Sequence, residues 1–225
     1  MVFPQSCLVC NQTTQRSIAV CDSCEQELPH NRECCLVCAI PLAGSDDLCC
    51  ANCQSNMPSY DVSHIPLLYR EPVSQWVQHF KFNGDLVKAK TLADLFLSSL
   101  DQHEAGSIDA LIPVPLHPSR IRKRGFNQAL WLAKQFSQQT GIPVDNRLVM
   151  RHKKTLPQHE LKYKLRLTNL KDAFKLSAPC HYRQVVIVDD VVTTGTTVNE
   201  IAHLLKKQGV ESVQIWALAR TVTTK

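Results

Sequence analysis

A chain of 225 residues with 44% hydrophobic residues has the length and apolar content of one globular α/β domain plus a small additional module. No stretch approaches the roughly 20 consecutive apolar residues that a membrane helix needs, so we expect no membrane insertion. The opening residues MVFPQSCLVC lack the basic and apolar regions of a signal peptide, and we therefore expect a cytoplasmic protein.

The net charge of +5 is distributed unevenly along the chain. Residues 1–60 carry two basic and six acidic side chains, whereas residues 117–171 carry thirteen lysines and arginines against two acidic residues. A segment this basic favours a polyanionic partner, either a polyphosphate or a nucleic-acid backbone. A solvated basic surface without a partner is the alternative.

Ten of the eleven cysteines lie between residues 7 and 53, and eight of them form four CxxC pairs. The second half of this segment repeats the first with an offset of 28 to 29 residues, which indicates an internal duplication. Two CxxC turns supply four thiolates for one tetrahedral zinc site, so the pattern predicts two structural zinc ions. The predicted ligands are Cys7, Cys10, Cys21, Cys24, Cys35, Cys38, Cys50 and Cys53.

Disulfide bonds are the alternative for these cysteines, and a reducing cytoplasm disfavours them. The simplest zinc pairing joins the first four cysteines and the last four, with an interleaved pairing still possible. Cys34 and Cys49 are spare, and their roles stay open. Residues 1–56 have few large apolar side chains, so metal binding would supply folding energy for this module.

Residues 60–225 alternate strand and helix patterns, which is typical of an α/β domain with a mainly parallel sheet. The predicted strands cover 64–69, 109–114, 185–188 and 213–219, and the predicted helices cover 73–84, 86–103, 125–141, 161–170 and 197–208.

The run VVIVDDVVTTGTT, residues 185–197, joins a buried strand to a helix through a loop rich in hydroxyl groups. Ligands bind at such junctions in open α/β sheets. The Gly/Thr loop offers N–H donors and a helix dipole to a phosphate, whereas Asp189 and Asp190 suit sugar hydroxyls or a divalent cation. The run therefore predicts a sugar-phosphate site at the point where the strand ends. A buried strand followed by helix-capping residues is the alternative.

This run resembles the phosphoribosyl-pyrophosphate (PRPP) motif of type I phosphoribosyltransferases. Two further segments resemble the ComF/GntX family: PVPLHPSRIRKRGFNQA at residues 113–129, and a frame formed by Arg151, Thr155, Gln158, Arg166 and Asn169. Together with the cysteine-rich segment, the resemblance covers nearly the whole chain. It implies a type I phosphoribosyltransferase-like α/β fold over residues 60–225, preceded by a double zinc ribbon over residues 1–56.

The resemblance also implies roles for individual residues. Asp189 and Asp190 would be the catalytic pair that holds the ribose hydroxyls and Mg²⁺ and stabilises positive charge. The 5′-phosphate would bind to Thr193, Thr194, Gly195, Thr196 and Thr197. The pyrophosphate would bind to Val114, Pro115, Leu116, Arg120, Lys123, Arg124 and Arg151. A mobile hood is expected around residues 150–160, and Lys81 and Asp85 match a K-F-x-G-D segment without an assigned role.

The implied function is PRPP and Mg²⁺ binding by a phosphoribosyltransferase-like protein involved in DNA uptake or utilisation (natural competence). As an enzyme it would be a phosphoribosyltransferase, a glycosyltransferase acting on PRPP, with an acceptor that the sequence does not identify. The alternative is a non-catalytic protein of the DNA-uptake machinery. It would bind single-stranded DNA through basic and aromatic side chains, or dock a helicase or another uptake protein through the zinc module. The nucleic-acid candidates are Arg122, Arg124, Lys153 and Lys154, with the aromatic residues Phe126, Trp131 and Tyr163.

Overall fold

The computed structural model describes residues 5–42, 44, 48–101, 107–152 and 173–222, and within them the chain is built on a parallel β-sheet flanked by helices. The strands are β1 (Gln5–Ser6), β2 (Thr13–Thr14), β3 (Val62–His64), β4 (Leu67–Leu68), β5 (Ala110–Pro113), β6 (Val149–Arg151), β7 (Phe174–Leu176), β8 (Gln184–Val192) and β9 (Ser212–Arg220). The helices are α1 (Asp22–Gln26), α2 (Ala51–Ser55), α3 (Val73–Asn83), α4 (Leu86–Ser98), α5 (Pro118–Arg124), α6 (Gln128–Thr140) and α7 (Thr196–Lys206).

The central sheet has β9 and β8 in its middle. β8 pairs in parallel with β9 on one side and with β5 on the other, and β3 and β4 pair one after the other with the far edge of β9. The single strand predicted over residues 64–69 is thus two short strands. Pro66 lies between them, and its missing N–H group cannot take part in the ladder.

Alternate residues of β8 enter two separate hydrophobic cores, one on each face of the sheet. Val186 and Val188 belong to the first core, which α3, α4 and α6 cover. There the stacked rings of Phe96 and Phe136 have their centroids 4.3 Å apart. The alternate residues of β8 on the other face, such as Ile187, belong to the second core. Helix α7 and the antiparallel pair β6–β7 cover this core.

The cysteine-rich segment packs into both cores. Ile18 and Val20 from its first repeat are buried in the first core, and Ala39 from its second repeat is buried in the second. Backbone hydrogen bonds hold this segment to the sheet edge: the N–H of Leu68 donates to the carbonyl of Pro29 at 2.7 Å. The two repeats therefore pack against opposite faces of the sheet near β3 and β4.

The predicted fold class, a mainly parallel α/β sheet preceded by a cysteine-rich double ribbon, is confirmed. The central strand is longer than predicted, because β9 continues to pair with β8 as far as Val192. Asp189 and Asp190 therefore lie within β8 and not beyond it. The predicted helix 161–170 lies outside the described residues. No helix in the described ranges combines the length and apolar character needed to cross a membrane.

Candidate functional site

A cavity of about 650 Å³ lies at the carboxyl end of β8. It opens because β5 ends at Pro113, opposite Val188, whereas β8 runs on for four more residues beside β9. Within the described part of the chain, the second half of β8 thus has a strand on one side only. The residues predicted as a site and found in the cavity wall are Val114, Leu116, Arg120, Arg124, Arg151, Asp189, Asp190, Thr193, Gly195 and Thr197.

The acid pair, Asp189 and Asp190, lies beside basic side chains in this cavity. The Nζ of Lys81 lies 2.8 Å from Oδ1 of Asp190, which is 8% exposed, and the N–H of Asp190 donates to Oδ1 of Asp189 at 2.9 Å. Burial and the neighbouring charge of Asp190 raise the pKa of Asp189 to about 7, although Lys81 and Arg124 act in the opposite direction. Asp189 therefore titrates near neutral pH, and a bound cation or sugar would change its protonation.

The arginines reach the cavity from two elements. Helix α5 begins at Pro118 with the N-cap His117, whose Nδ1 accepts the N–H of Ser119 at 3.2 Å. Arg120 and Arg124 are four residues apart, so they share one face of α5, and both line the cavity. Arg151 comes from β6. Burial and the nearby charge of Arg120 lower the pKa of Arg151 to about 10, so Arg151 is still cationic at neutral pH.

The hydroxyl-rich loop forms the third side of the site. Gly195 is the N-cap of α7 with a φ of +76°, a conformation that favours glycine. A Cβ atom at this position would lie 3.1 Å from Oη of Tyr60, so there is little room for a side chain. The loop brings Thr193 and Thr197 to the cavity at the N-terminus of an 11-residue helix, where N–H groups bind anions.

Several predicted residues are elsewhere. Thr194 and Thr196 bond to each other through their hydroxyl groups at 2.8 Å, and neither lines the cavity. Pro115 and the exposed Arg122 do not line it either. The side chain of Lys123 is not among the described parts of the structure. Most of the predicted hood also lies outside the described residues, as do Lys153, Lys154, Thr155, Gln158, Tyr163, Arg166 and Asn169.

Helix α3 contributes residues to which the sequence assigned no role. Gln78, Lys81 and Phe82 all line the cavity. Phe82 is 62% exposed, and the guanidinium carbon of Arg124 lies 5.4 Å from its ring centroid. The K-F-x-G-D segment was the signal in the sequence that marked this helix end.

The aromatic residues expected to face a nucleic acid are placed differently. Phe126 and Trp131 pack against the first core, with ring centroids 5.5 Å and 5.3 Å from that of the buried Phe80. Both rings are partly buried by this contact with α3, so they are less available to a nucleic acid than expected from the sequence. The exposed ring at the cavity is instead Phe82.

The eight CxxC cysteines form two groups of four, the first four and the last four, with ligand atoms within 4.8 Å of one another in each group. Among the described residues, this is the adjacent pairing and not the interleaved one. Burial raises the pKa of Cys7, but N–H groups of residues such as Val9 and Cys21 donate to its Sγ and lower the pKa overall to about 6. Tetrathiolate groups with N–H donors to sulfur fit structural zinc. Cys34 and Cys49 lie outside both groups.

Two family models match the two parts of this chain. The chain matches the phosphoribosyl transferase domain model over residues 105–224 and the double zinc ribbon domain model over residues 1–58. It is 44% identical to competence protein F of Haemophilus influenzae over 178 residues, which cover 76% of this chain and 78% of that protein. It is 34% identical to the DNA utilization protein YhgH of Salmonella typhi over 227 residues, which cover 99% and 100% of the two chains. A purine phosphoribosyltransferase structure from Pyrococcus horikoshii aligns with a TM-score of 0.38 and 20% identity over 61% of this chain and 85% of that chain.

Proposed function

Because the chain belongs to the family of competence and DNA-utilisation proteins with a phosphoribosyltransferase domain, we propose that it binds PRPP together with Mg²⁺ in the cavity beside β8. One observation carries the proposal. An acid pair, a helix N-terminus with threonines, and three arginines surround a single cavity of about 650 Å³. That volume lies within the range of about 300–1,000 Å³ that is usual for small-molecule sites.

Each part of PRPP has a matching part of the cavity. The 5′-phosphate would accept hydrogen bonds from the loop at Thr193 and Thr197 and from the N-terminus of α7. The ribose hydroxyls would donate to the carboxylates of Asp189 and Asp190. The diphosphate would lie among the guanidinium groups that line the cavity, which pair well with phosphate oxygens. These are Arg120, Arg124 and Arg151.

The same arrangement supports transfer of the phosphoribosyl group. The bond between C1 of the ribose and the diphosphate oxygen breaks, and its electron pair leaves with the diphosphate. Asp189 and Asp190 stabilise the positive charge that develops on the sugar, while the arginines stabilise the departing anion. Mg²⁺, when bound at the acid pair, supplies further neutralisation of the diphosphate. The acceptor then attacks C1 and releases its proton to water.

Calorimetric titration of PRPP with and without Mg²⁺ tests the proposal. We expect magnesium-dependent binding by the unmodified protein that is lost in Asp190→Asn. Asp94→Asn is the matched control, since Asp94 also pairs with a lysine, Lys90 at 2.6 Å, on helix α4 and away from this cavity. Absence of binding by the unmodified protein, or unchanged affinity in a folded Asp190→Asn variant, would contradict the proposal.

A second candidate is the binding of single-stranded DNA in the same cavity. The observation that favours it is Phe82, an exposed ring beside the guanidinium group of Arg124 at the mouth of a cationic cavity. Nucleobases stack on such rings, and each stack contributes about 1–3 kcal/mol. Arginines on α5 would contact the phosphates, so the affinity would fall with salt.

Fluorescence anisotropy with a labelled oligodeoxynucleotide tests this candidate. Phe82→Ala should weaken binding about 5-fold or more, whereas Leu86→Ala should not, since Leu86 is a 51% exposed apolar residue that does not line the cavity. Competition between PRPP and the oligonucleotide would indicate a shared cavity. DNA binding that is insensitive to Phe82→Ala would argue against this candidate. Docking of a protein partner by the zinc module stays a prediction.

A further inference from the structure

Arg220, near the end of β9, connects the second zinc ribbon with the loop of the candidate phosphate site. Its side chain is buried, and the whole residue is 5% exposed. Its Nε donates to the carbonyl of Cys38 at 2.9 Å. Its Nη1 donates to the carbonyls of Val192 at 3.2 Å and Thr221 at 3.0 Å, and also to that of Thr193.

These hydrogen bonds fix the start of the phosphate loop. Thr193 lies in the cavity wall, two residues before the left-handed Gly195. Hydrogen bonds from a charged donor are stronger than bonds between neutral groups. The direction of the Thr193 peptide, and hence of the N–H groups that follow it, depends on where the guanidinium group lies.

The second zinc ribbon in turn holds the guanidinium group, because it supplies the carbonyl of Cys38. Cys38 is the second cysteine of a CxxC turn, and its Sγ belongs to the second group of four. Closure of four thiolates around an ion fixes such a turn, including its carbonyl groups. The linker after this ribbon also contacts the same loop and the helix that follows it. Tyr60 packs at Gly195, and the N–H of Ser59 donates to Oδ1 of Asn199 in α7 at 2.7 Å.

We propose that Arg220 is a positioning residue through which metal binding at the second cysteine group and PRPP binding in the cavity strengthen each other. The inference rests on the proposed function, since it concerns the affinity of that cavity for PRPP. The first cysteine group provides the internal comparison. It lies with the first core, on the opposite face of the sheet, and Cys7 and Cys24 pack there beside residues of α3 and α4.

Thermodynamic linkage makes the coupling reciprocal. If an ion in the second group raises the affinity for PRPP, PRPP raises the affinity of that group for the ion by the same factor. Couplings of this kind usually amount to about 5-fold or more. An ion in the first group should show no such dependence.

The first test is a PRPP titration of Arg220→Gln, with Arg220→Lys as the conservative variant. We expect Arg220→Gln to bind PRPP about 5-fold more weakly or worse while it retains both zinc ions, and Arg220→Lys to recover part of the affinity. If the unmodified protein does not bind PRPP, the proposed function itself fails. If the unmodified protein binds and Arg220→Gln binds equally well, the proposed function stands and this inference is overturned.

The second test needs no variant of Arg220, so it holds even if those variants do not fold. Zinc transfer from the unmodified protein to a chromogenic chelator is measured at equilibrium, with and without saturating PRPP. We expect PRPP to protect one of the two ions and to leave the other unaffected. Protection should persist in Cys24→Ser, which lacks the first group, and disappear in Cys53→Ser. Equal transfer with and without PRPP, for a protein that binds PRPP, would overturn the coupling.

Discussion

The acid pair should make PRPP binding depend on pH near neutrality. Burial and the adjacent Asp190 raise the pKa of Asp189 to about 7, against the opposing effects of Lys81 on α3 and Arg124 on α5. Arg151 on β6 also favours the ionised carboxylate. Ribose hydroxyls and Mg²⁺ bind the ionised form, so the affinity should rise as the pH increases through this pKa.

The magnitude follows from the titration curve of a single group. With a pKa near 7, roughly one tenth of the carboxyl groups are ionised at about pH 6 and roughly nine tenths at about pH 8. The affinity should therefore rise roughly tenfold over this interval. Lys81 lies 2.8 Å from Asp190 and holds the pKa of Asp189 down, so Lys81→Gln should move the midpoint of the rise to higher pH.

The assay is a series of calorimetric titrations over this pH range with the unmodified protein, Lys81→Gln and Lys88→Gln. Lys88 is the control because it forms a similar ion pair, 2.7 Å from Asp85, but does not line the cavity. Protonation of PRPP itself is common to all three proteins and cancels when their affinities are divided. Identical midpoints for the unmodified protein and Lys81→Gln, or an affinity that does not change with pH, would refute the reasoning.

Three further predictions concern the ribbons, the core and the loop. Cys21→Ser should reduce the zinc content from two ions per chain to one by atomic emission, and retention of both ions would contradict the pairing. Phe96→Ala should lower the free energy of unfolding in urea by about 3–5 kcal/mol, since the ring is fully buried, whereas the exposed Phe82→Ala should change it by less than about 1 kcal/mol. Gly195→Ala should cost about 1 kcal/mol of stability, because its φ is +76°, and should weaken PRPP binding; unchanged affinity would mean that the loop does not hold the phosphate.

The parts of the fold that depend on local patterns could be predicted from the sequence. Four consecutive β-branched residues identified the core of β8, and regular CxxC spacing identified two groups of ligands. The length of β8 could not be predicted, because its last residues are held by β9, which is distant in the chain. A strand ends where its partner strands end, and a single sequence does not show which strands pair.

The candidate site shows the same limit. Phe82 and Phe126 are both phenylalanines beside basic residues, and only the contact of Phe126 with Phe80 shows that one ring is packed and the other exposed. Arg220 is a similar case. An arginine after an apolar strand is typical of a surface position, and its bond to Cys38 spans 182 residues of sequence. No local pattern indicates a contact of that range.

The cysteine repeats pack against both faces of the sheet, and this packing has a consequence for biosynthesis. Ile18 and Val20 precede the central sheet in the chain, yet the first core to which they belong also contains Trp216 and Leu218 of β9. Until β9 has been synthesised, this core is incomplete, and its apolar side chains lack part of their packing. Such exposed apolar surface is prone to aggregation and is a substrate for chaperones. We therefore expect the nascent chain to depend on chaperones until β9 has been synthesised.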